Sequence, residues 1–98
     1  MSAMMLRTKV RNDSAAEVEA AVKTLFSALE QEQPRGIRYT SYRLSDGLTY
    51  VVLVEVEDGI DNPLPRIAAF REFQEKLRGR LAEPPAPEQL TVVGDYRA

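Results

Sequence analysis

The sequence predicts one α+β domain over residues 1–98, built from a four-stranded antiparallel sheet with two helices on one face. Three observations predict it. Strand-like and helix-like segments follow one another in the order βαββαβ, the central hairpin contains an Asp-Gly turn signal, and each helix carries one apolar stripe. Because two such helices can cover only one face of a sheet, this order predicts the split βαβ arrangement.

The first two elements are predicted to be a strand and a capped helix. Alternating side chains from Met5 to Arg11 predict the strand. Ser14 followed by Glu17 matches a capping box, in which each side chain accepts a hydrogen bond from a free backbone N–H. The helix that follows is expected to end before Pro34 and Gly36. Its apolar stripe consists of Val18, Ala21, Val22, Leu25, Phe26 and Leu29.

The segments 37–44 and 49–57 predict a β-hairpin, because both are rich in β-branched and aromatic residues. Asp46-Gly47 between them indicates a type I′ turn, which requires positive φ at both central residues. Counting outward from this turn predicts the cross-strand register. The predicted pairs are Arg43 with Tyr50, Tyr42 with Val51, Thr40 with Leu53, Tyr39 with Val54 and Arg38 with Glu55.

The last third of the chain predicts a loop, a helix and a strand. Residues 58–65 are expected to form the loop, since their prolines suit the first turn of a helix. Residues 84–87 (Pro-Pro-Ala-Pro) predict a stiff connector, and 89–96 predict the last strand. The second helix is predicted from a set of apolar residues at helical spacing: Ile67, Phe70, Phe73, Leu77 and Leu81.

Composition argues against several functional classes. The formal net charge of −2 supplies no strongly basic field for nucleic acid. Without cysteine or histidine, the chain has no thiolate or imidazole ligand and no cysteine or Ser–His nucleophile. Asp58, Asp61 and Asn62 do not have the spacing of a calcium loop. We therefore predict no metal, no cofactor and no nucleic-acid partner. The lack of a long apolar run predicts no membrane association and a cytoplasmic location.

The predicted register divides the hairpin into two faces. The more apolar set is expected beneath the helices: Ile37, Tyr39, Ser41, Tyr50, Val52, Val54 and Val56. The other face carries Tyr42, Val51 and Leu53, an apolar patch of a kind that monomers seldom leave exposed. A second copy packed sheet to sheet would cover this patch, so a homodimer is predicted. A monomer whose sheet is open to solvent on one side is the alternative.

The element order resembles that of the dimeric α+β barrel superfamily, and so do two runs of residues. These are the hairpin run Gly36-Ile-Arg-Tyr, Asp-Gly and Val-Val-Leu-Val-Glu-Val-Glu-Asp58, and the helix run Phe70-Arg-Glu-Phe73-Gln74. The nearest group is the antibiotic biosynthesis monooxygenase-like domains. The resemblance implies a ferredoxin-like fold, a homodimer whose sheets face each other in a barrel, and a cavity between each sheet and its helices.

The activities of this superfamily differ among its members. Some oxidise polycyclic aromatics without a cofactor, some degrade haem, and many have no assigned activity. The haem-degrading members use an Asn/His/Trp set, whereas this chain contains neither histidine nor tryptophan. At the helix position where relatives often place a histidine it has Leu64. The resemblance therefore implies a cavity for a small molecule, without haem.

Residues of the hairpin are the candidates for a ligand site. Arg38 and Glu55 would form a cross-strand charge pair able to bind a carboxylate or enolate. The alternative is a structural ion pair, or a salt bridge across the dimer. Tyr39, Tyr42 and Tyr50 would stack on an aromatic ligand or donate a hydrogen bond, or else simply pack. The full set of ligand-cavity candidates is Arg38, Thr40, Tyr42, Leu53, Glu55, Tyr39 and Tyr50.

Three functions are consistent with the sequence, and no catalytic motif decides whether the protein is an enzyme. The first is a homodimer that binds a small apolar or aromatic molecule, in the cavity or in the barrel interior. The second is a cofactor-independent monooxygenase or isomerase acting on a polyketide-like or quinol substrate, whose developing charge an arginine or tyrosine would stabilise. The third is a non-enzymatic dimerisation or interaction module.

Overall fold

The computed structural model describes residues 2–96 and 98. Its strands and longer helices follow one another in the predicted order. They are β1 (Ser2–Lys9), α1 (Ala15–Glu32), β2 (Ile37–Arg43), β3 (Thr49–Val56), α2 (Ala68–Leu77) and β4 (Ala86–Leu90). The strands form one antiparallel sheet in the order β2-β3-β1-β4. The α+β, ferredoxin-like fold is thus confirmed.

Both helices pack on the same face of the sheet, as predicted. Val18 of α1 joins Tyr50 of β3 in one buried cluster. In a second cluster Val54 of β3 packs with Leu64 and Ile67, which lead into α2. Side chains of β3 alternate between the two faces, so the residues next to Tyr50 and Val54 in the chain lie on the other face. We call that other side the open face. No helix in the described part of the chain is long and apolar enough to cross a membrane.

The hairpin has the predicted register but a different turn. All five predicted pairs occur, from Arg38 opposite Glu55 to Arg43 opposite Tyr50. The loop has four residues, 45–48, because the Leu44 N–H donates to the Thr49 carbonyl. Gly47 has φ of +73°, but Asp46 has no positive φ, since Gln33 is the one non-glycine residue with positive φ in the described chain. A type I′ turn requires positive φ at both positions, so that prediction is wrong. The register survives because two- and four-residue loops with the same centre place the same residues opposite each other.

The side chain of Asp46 explains this turn. Its carboxylate accepts hydrogen bonds from the backbone N–H groups of Leu48 and Thr49, both at 2.8 Å. It also accepts one from the Thr49 hydroxyl at 2.6 Å. An aspartate that binds the backbone two and three residues ahead stabilises a turn without positive φ at its own position. The same hydrogen bonds lower the pKa of Asp46 from 3.8 to about 2.

These hydrogen bonds predict that Asp46 stabilises the fold less as the pH falls. Because the folded-state pKa lies below the unfolded-state value, the stabilisation is complete above about pH 4 and is lost as the pH falls towards 2. We expect the melting temperature of the wild type to fall more steeply between pH 4 and pH 2 than that of Asp46→Asn, which carries no titrating carboxyl there. Thermal melts across this interval measure the difference, and parallel curves would contradict it.

The start of α1 differs from the predicted capping box. The Ser14 hydroxyl donates to the Asp13 carboxylate at 3.3 Å and caps no backbone N–H. Glu17 accepts a hydrogen bond from Arg80 at 2.7 Å instead of reaching back to Ser14. The reason is the 3₁₀ turn Asn12–Ser14, which holds Ser14 at φ −115° and ψ 1° rather than in the extended conformation of a capping residue.

The first and last strands are displaced from their predicted positions. β1 begins at Ser2 rather than Met5, because residues 2–4 pair with the end of β3. β4 covers Ala86–Leu90 and so includes part of the predicted proline connector, whereas residues 91–96 lie outside it. Pro87 is tolerated because β4 is an edge strand that bonds to β1 alone. Val93, in the segment 91–96 that was predicted to be part of the last strand, is 97% exposed.

Candidate ligand-binding cavity

A cavity of about 290 Å³ lies between the sheet and the two helices. It exists because α2 covers the sheet without inserting deeply into it: within Ala68–Leu77 no residue is fully buried. Phe70 and Phe73, two of the apolar residues from which this helix was predicted, are half-buried and line the space. The lining residues are Leu6, Thr8, Val18, Val22, Tyr39, Ser41, Tyr50, Val52, Phe70, Phe73, Gln74, Leu77, Arg78, Leu81 and Pro85.

Aromatic rings form one wall of the cavity. Tyr39 of β2 lies 5.2 Å from the ring of Phe26 on α1, at an interplanar angle of 33°. Phe70 of α2 also meets Tyr39, edge-on, with ring centroids 6.2 Å apart. These are favourable aromatic contacts that fix the orientation of the ring. Burial raises the pKa of Tyr39 to about 12, so its hydroxyl stays protonated at neutral pH and is available as a hydrogen-bond donor.

Tyr50 contributes to the floor of the cavity from the central strand β3. Its side chain is buried and packs with Val10 and Val18. Burial raises the pKa of Tyr50, and the negative charge of Glu19 raises it further. Arg43, which forms an ion pair with Glu19, acts in the opposite direction. Tyr50 is therefore neutral at physiological pH, like Tyr39.

Thr8 is a polar residue in an otherwise apolar part of the cavity. It lies on β1 directly opposite Tyr50 and is 8% exposed. Its hydroxyl oxygen is buried and has no hydrogen-bond partner among the described residues. Sequence reasoning did not select Thr8 as a site residue. The available signal was a hydroxyl on the apolar side of the first predicted strand, between Leu6 and Val10.

The structure separates the seven candidate residues into two groups. Tyr39 and Tyr50 line the cavity. The other five lie on the open face, on the opposite side of the sheet: Arg38, Thr40, Tyr42, Leu53 and Glu55. A single site within one chain therefore cannot use all seven.

Arg38 and Glu55 are direct cross-strand neighbours, as predicted. Among the described residues they nevertheless form no ion pair with each other. Tyr42, on the same face, is 53% exposed. A shallow space of about 640 Å³ adjoins Leu53 and Glu55 and is bounded by Leu90, the last residue of β4, and by residues 91–95 that follow it. The open face thus combines apolar surface with charges of both signs.

No group of acidic side chains in the described part of the chain could hold a metal ion. Carboxylates are also missing from the lining of the cavity, whose one charged side chain is that of Arg78. Arg78 lies at the end of α2 and donates to Glu75 at 3.2 Å in an exposed ion pair. The lining is therefore mostly apolar, and its polar groups are a few hydroxyls, the Gln74 amide and the Arg78 guanidinium.

Comparison with known proteins identifies the fold. No known family profile and no curated protein matches the chain. Among solved structures, a candidate antibiotic biosynthesis monooxygenase from Nitrosomonas europaea superposes with a TM-score of 0.81 at 13% identity, covering 96% of this chain and 100% of that one. A Mycobacterium tuberculosis protein gives 0.77 at 17% identity, with 98% of both chains covered.

A third structure, a protein of unknown function from Nitrosomonas europaea, has a TM-score of 0.75 at 11% identity, covering 99% of this chain and 93% of that one. Matches over nearly the whole length confirm at the level of fold the resemblance that the sequence showed. The chain has the antibiotic biosynthesis monooxygenase-like fold.

Proposed function

We propose that the protein is a homodimer that binds a small apolar or aromatic molecule in the cavity between its sheet and helices. The observation that carries the proposal is the cavity itself, about 290 Å³ in volume and lined mostly by aliphatic and aromatic side chains. This volume is near the lower end of the range of about 300–1,000 Å³ found for ligand sites. An apolar cavity of about 150 Å³ already holds benzene. A molecule of one or two rings therefore suits this one.

The chemistry of the lining favours binding over catalysis. A cofactor-independent oxidation of a quinol or polyketide begins with removal of a proton from the substrate, which requires a base. Burial raises the pKa of Tyr39 to about 12 and raises that of Tyr50 as well, so both phenols are protonated near pH 7 and neither is present as a phenolate base. Arg38, the proposed partner for a developing anion, lies on the other side of the sheet. The oxygenase hypothesis would require a substrate that ionises without help from the protein.

The open face supports the dimer. Tyr42 is exposed there and Leu53 is half-buried, and Arg38 and Glu55 are not paired with each other. In a two-fold dimer the same patch of both copies meets itself, so an arginine of one copy can approach a glutamate of the other. Sheet-to-sheet packing would cover the apolar side chains and allow these charges to pair. The dimer leaves the cavity accessible, because the cavity lies on the helix side.

Sedimentation velocity and a ligand titration test the two parts of the proposal together. We expect a mass near twice 11.0 kDa and binding of naphthalene, an apolar two-ring probe, with one molecule per chain. A monomeric mass would contradict the dimer. Failure of naphthalene and of single-ring probes such as toluene to bind would contradict the ligand site.

A further inference from the structure

We propose that the cavity takes a ring compound carrying a carboxylate, whose negative charge binds Arg78 at the cavity mouth. This inference rests on the proposed function, because it names the chemical class of the ligand for the same cavity. The ring would occupy the apolar interior, and the carboxylate would lie at the mouth, in contact with solvent. An apolar interior alone would favour an uncharged molecule, so the charge is what the inference adds.

The exposed residues of the lining show where the cavity opens. Of the residues that line it, Gln74, Arg78 and Pro85 are exposed, whereas the others are buried or half-buried. Gln74 lies in the second half of α2, Arg78 directly follows this helix, and Pro85 directly precedes β4. The mouth therefore lies between the end of α2 and the start of β4. A ligand group at the mouth can reach the side chain of Arg78, because that side chain is 78% exposed.

The side of α2 that lines the cavity changes in character along the helix. Phe70 and Phe73 come first and are aromatic, whereas Gln74 and Arg78 follow and are polar. Leu77, which also lines the cavity, is half-buried. Phe70, Gln74 and Arg78 are spaced four residues apart, so successive members lie near one another on the same side of the helix. At 1.5 Å per residue, Arg78 is about 12 Å beyond Phe70. The lining thus favours a ligand with a ring at one end and a polar group at the other.

The charge at the mouth favours an anion. Arg78 is the one charged residue of the lining, and no carboxylate lines the cavity among the described residues. The hydrogen bond of Arg78 to Glu75 uses Nη1, at 3.2 Å, and joins two exposed side chains. Exposed pairs of this kind contribute little, so a ligand carboxylate can replace Glu75 at small cost. The planar guanidinium has five N–H donors and can bind a carboxylate through two parallel hydrogen bonds.

The next arginine along the chain is already engaged within the protein. Arg80 donates from Nε to Glu17 at 2.7 Å and from Nη1 to the backbone carbonyl of Lys76. The bond to Lys76 occupies a carbonyl of the last turn of α2, whose partial negative charge would otherwise repel an anion. Arg80 is also absent from the lining of the cavity. Arg78 is therefore the arginine available to a ligand.

Isothermal titration calorimetry with 2-naphthoate and 2-naphthamide tests the inference, because the two probes have nearly the same shape and differ by one negative charge. The proteins are the wild type, Arg78→Gln and the control Arg66→Gln, which removes another arginine of an exposed ion pair, outside the lining. We expect the wild type to bind 2-naphthoate roughly 2- to 5-fold more tightly than 2-naphthamide, the range for an exposed ion pair. Arg78→Gln should lose this preference, whereas Arg66→Gln should retain it.

The salt dependence of binding gives a second readout, which a change of shape alone would not alter. Raising the ionic strength from about 0.01 M to about 1 M should reduce the preference of the wild type for 2-naphthoate, because salt screens exposed charges. The ratio of the two affinities in Arg78→Gln should stay the same. A wild-type preference that is equal at both ionic strengths would overturn the inference.

The binding outcomes separate this inference from the proposed function. If the wild type binds naphthalene but does not prefer 2-naphthoate to 2-naphthamide, the inference is refuted while the cavity remains a binding site. The same holds if Arg78→Gln keeps the preference. If the wild type binds none of naphthalene, toluene and 2-naphthoate, the proposed function fails, and the inference fails with it. Loss of the preference in Arg78→Gln, with unchanged affinity for naphthalene, supports both.

Discussion

Replacing Val52 by phenylalanine is expected to lower the affinity for naphthalene by at least about tenfold. Val52 lies on the central strand β3, opposite Leu6 on one side and Ser41 on the other, and all three line the cavity. The larger ring would occupy much of the space of about 290 Å³ that the probe needs. Filling an existing void avoids most of the strain that a larger side chain causes in a packed core. The variant should therefore fold and bind poorly, which calorimetry and thermal melting would measure.

The neighbouring residue offers a matched control. Val51 is on the same strand but faces the open side of the sheet, opposite Arg7 and Tyr42. Val51→Phe adds the same atoms one residue away and should leave the affinity for naphthalene within about twofold of the wild type. If Val51→Phe alters the dimer, sedimentation velocity should detect a change in mass while the affinity for naphthalene stays the same. Equal loss of binding in both variants would contradict a ligand site on the helix side.

Leu64→Ala is expected to cost about 2–5 kcal/mol of unfolding free energy, as measured by urea denaturation. Leu64 is 1% exposed and packs with Val54 and Ile67, so its removal leaves a cavity where the chain enters α2. Small domains have only about 5–15 kcal/mol of stability, which makes this loss a large fraction of the total. The melting temperature should fall accordingly, by several degrees for each kcal/mol.

The control for this variant is Arg66→Ala, two residues further along. The Arg66 side chain is 75% exposed and forms an exposed ion pair with Asp61 at 3.6 Å. Such pairs contribute little, so the change should stay within about 1 kcal/mol. If Leu64→Ala destabilised the protein no more than Arg66→Ala, the cluster around Val54 would not be part of the stabilising core.

The faces and register of the sheet were predictable because they depend on local chemistry. Alternation along a strand has a period of two residues, and a turn centre fixes which residues are opposite each other. The type of turn was less predictable, since Asp46 can stabilise several turns and the choice depends on where its carboxylate finds donors. Likewise, the last strand covers residues 86–90 rather than the predicted 89–96 because residues 86–90 pair with β1, and this pairing is a long-range interaction.

The candidate site was predictable only in part. The sequence indicated Tyr39 and Tyr50, because both fall on the apolar face of the hairpin. It could not show that α2 would cover the sheet loosely, since the depth of a helix depends on packing in three dimensions rather than on the spacing of Phe70 and Phe73. It could not show that the hydroxyl of Thr8 would lack a partner, because hydrogen-bond satisfaction is a property of the folded neighbourhood.

A methyl-group NMR titration with naphthalene tests the central claim most directly, because it locates the probe on one face of the sheet. The proposal predicts ring-current shifts for the methyl groups of Leu6, Val22 and Val52, which line the cavity. It predicts small changes for Val51 and Leu53, which lie across the sheet on the open face. Shifts confined to Val51 and Leu53 would contradict the claim and would place the ligand on the open face. No shifts at any of the five residues would show that the cavity does not take up an apolar ring.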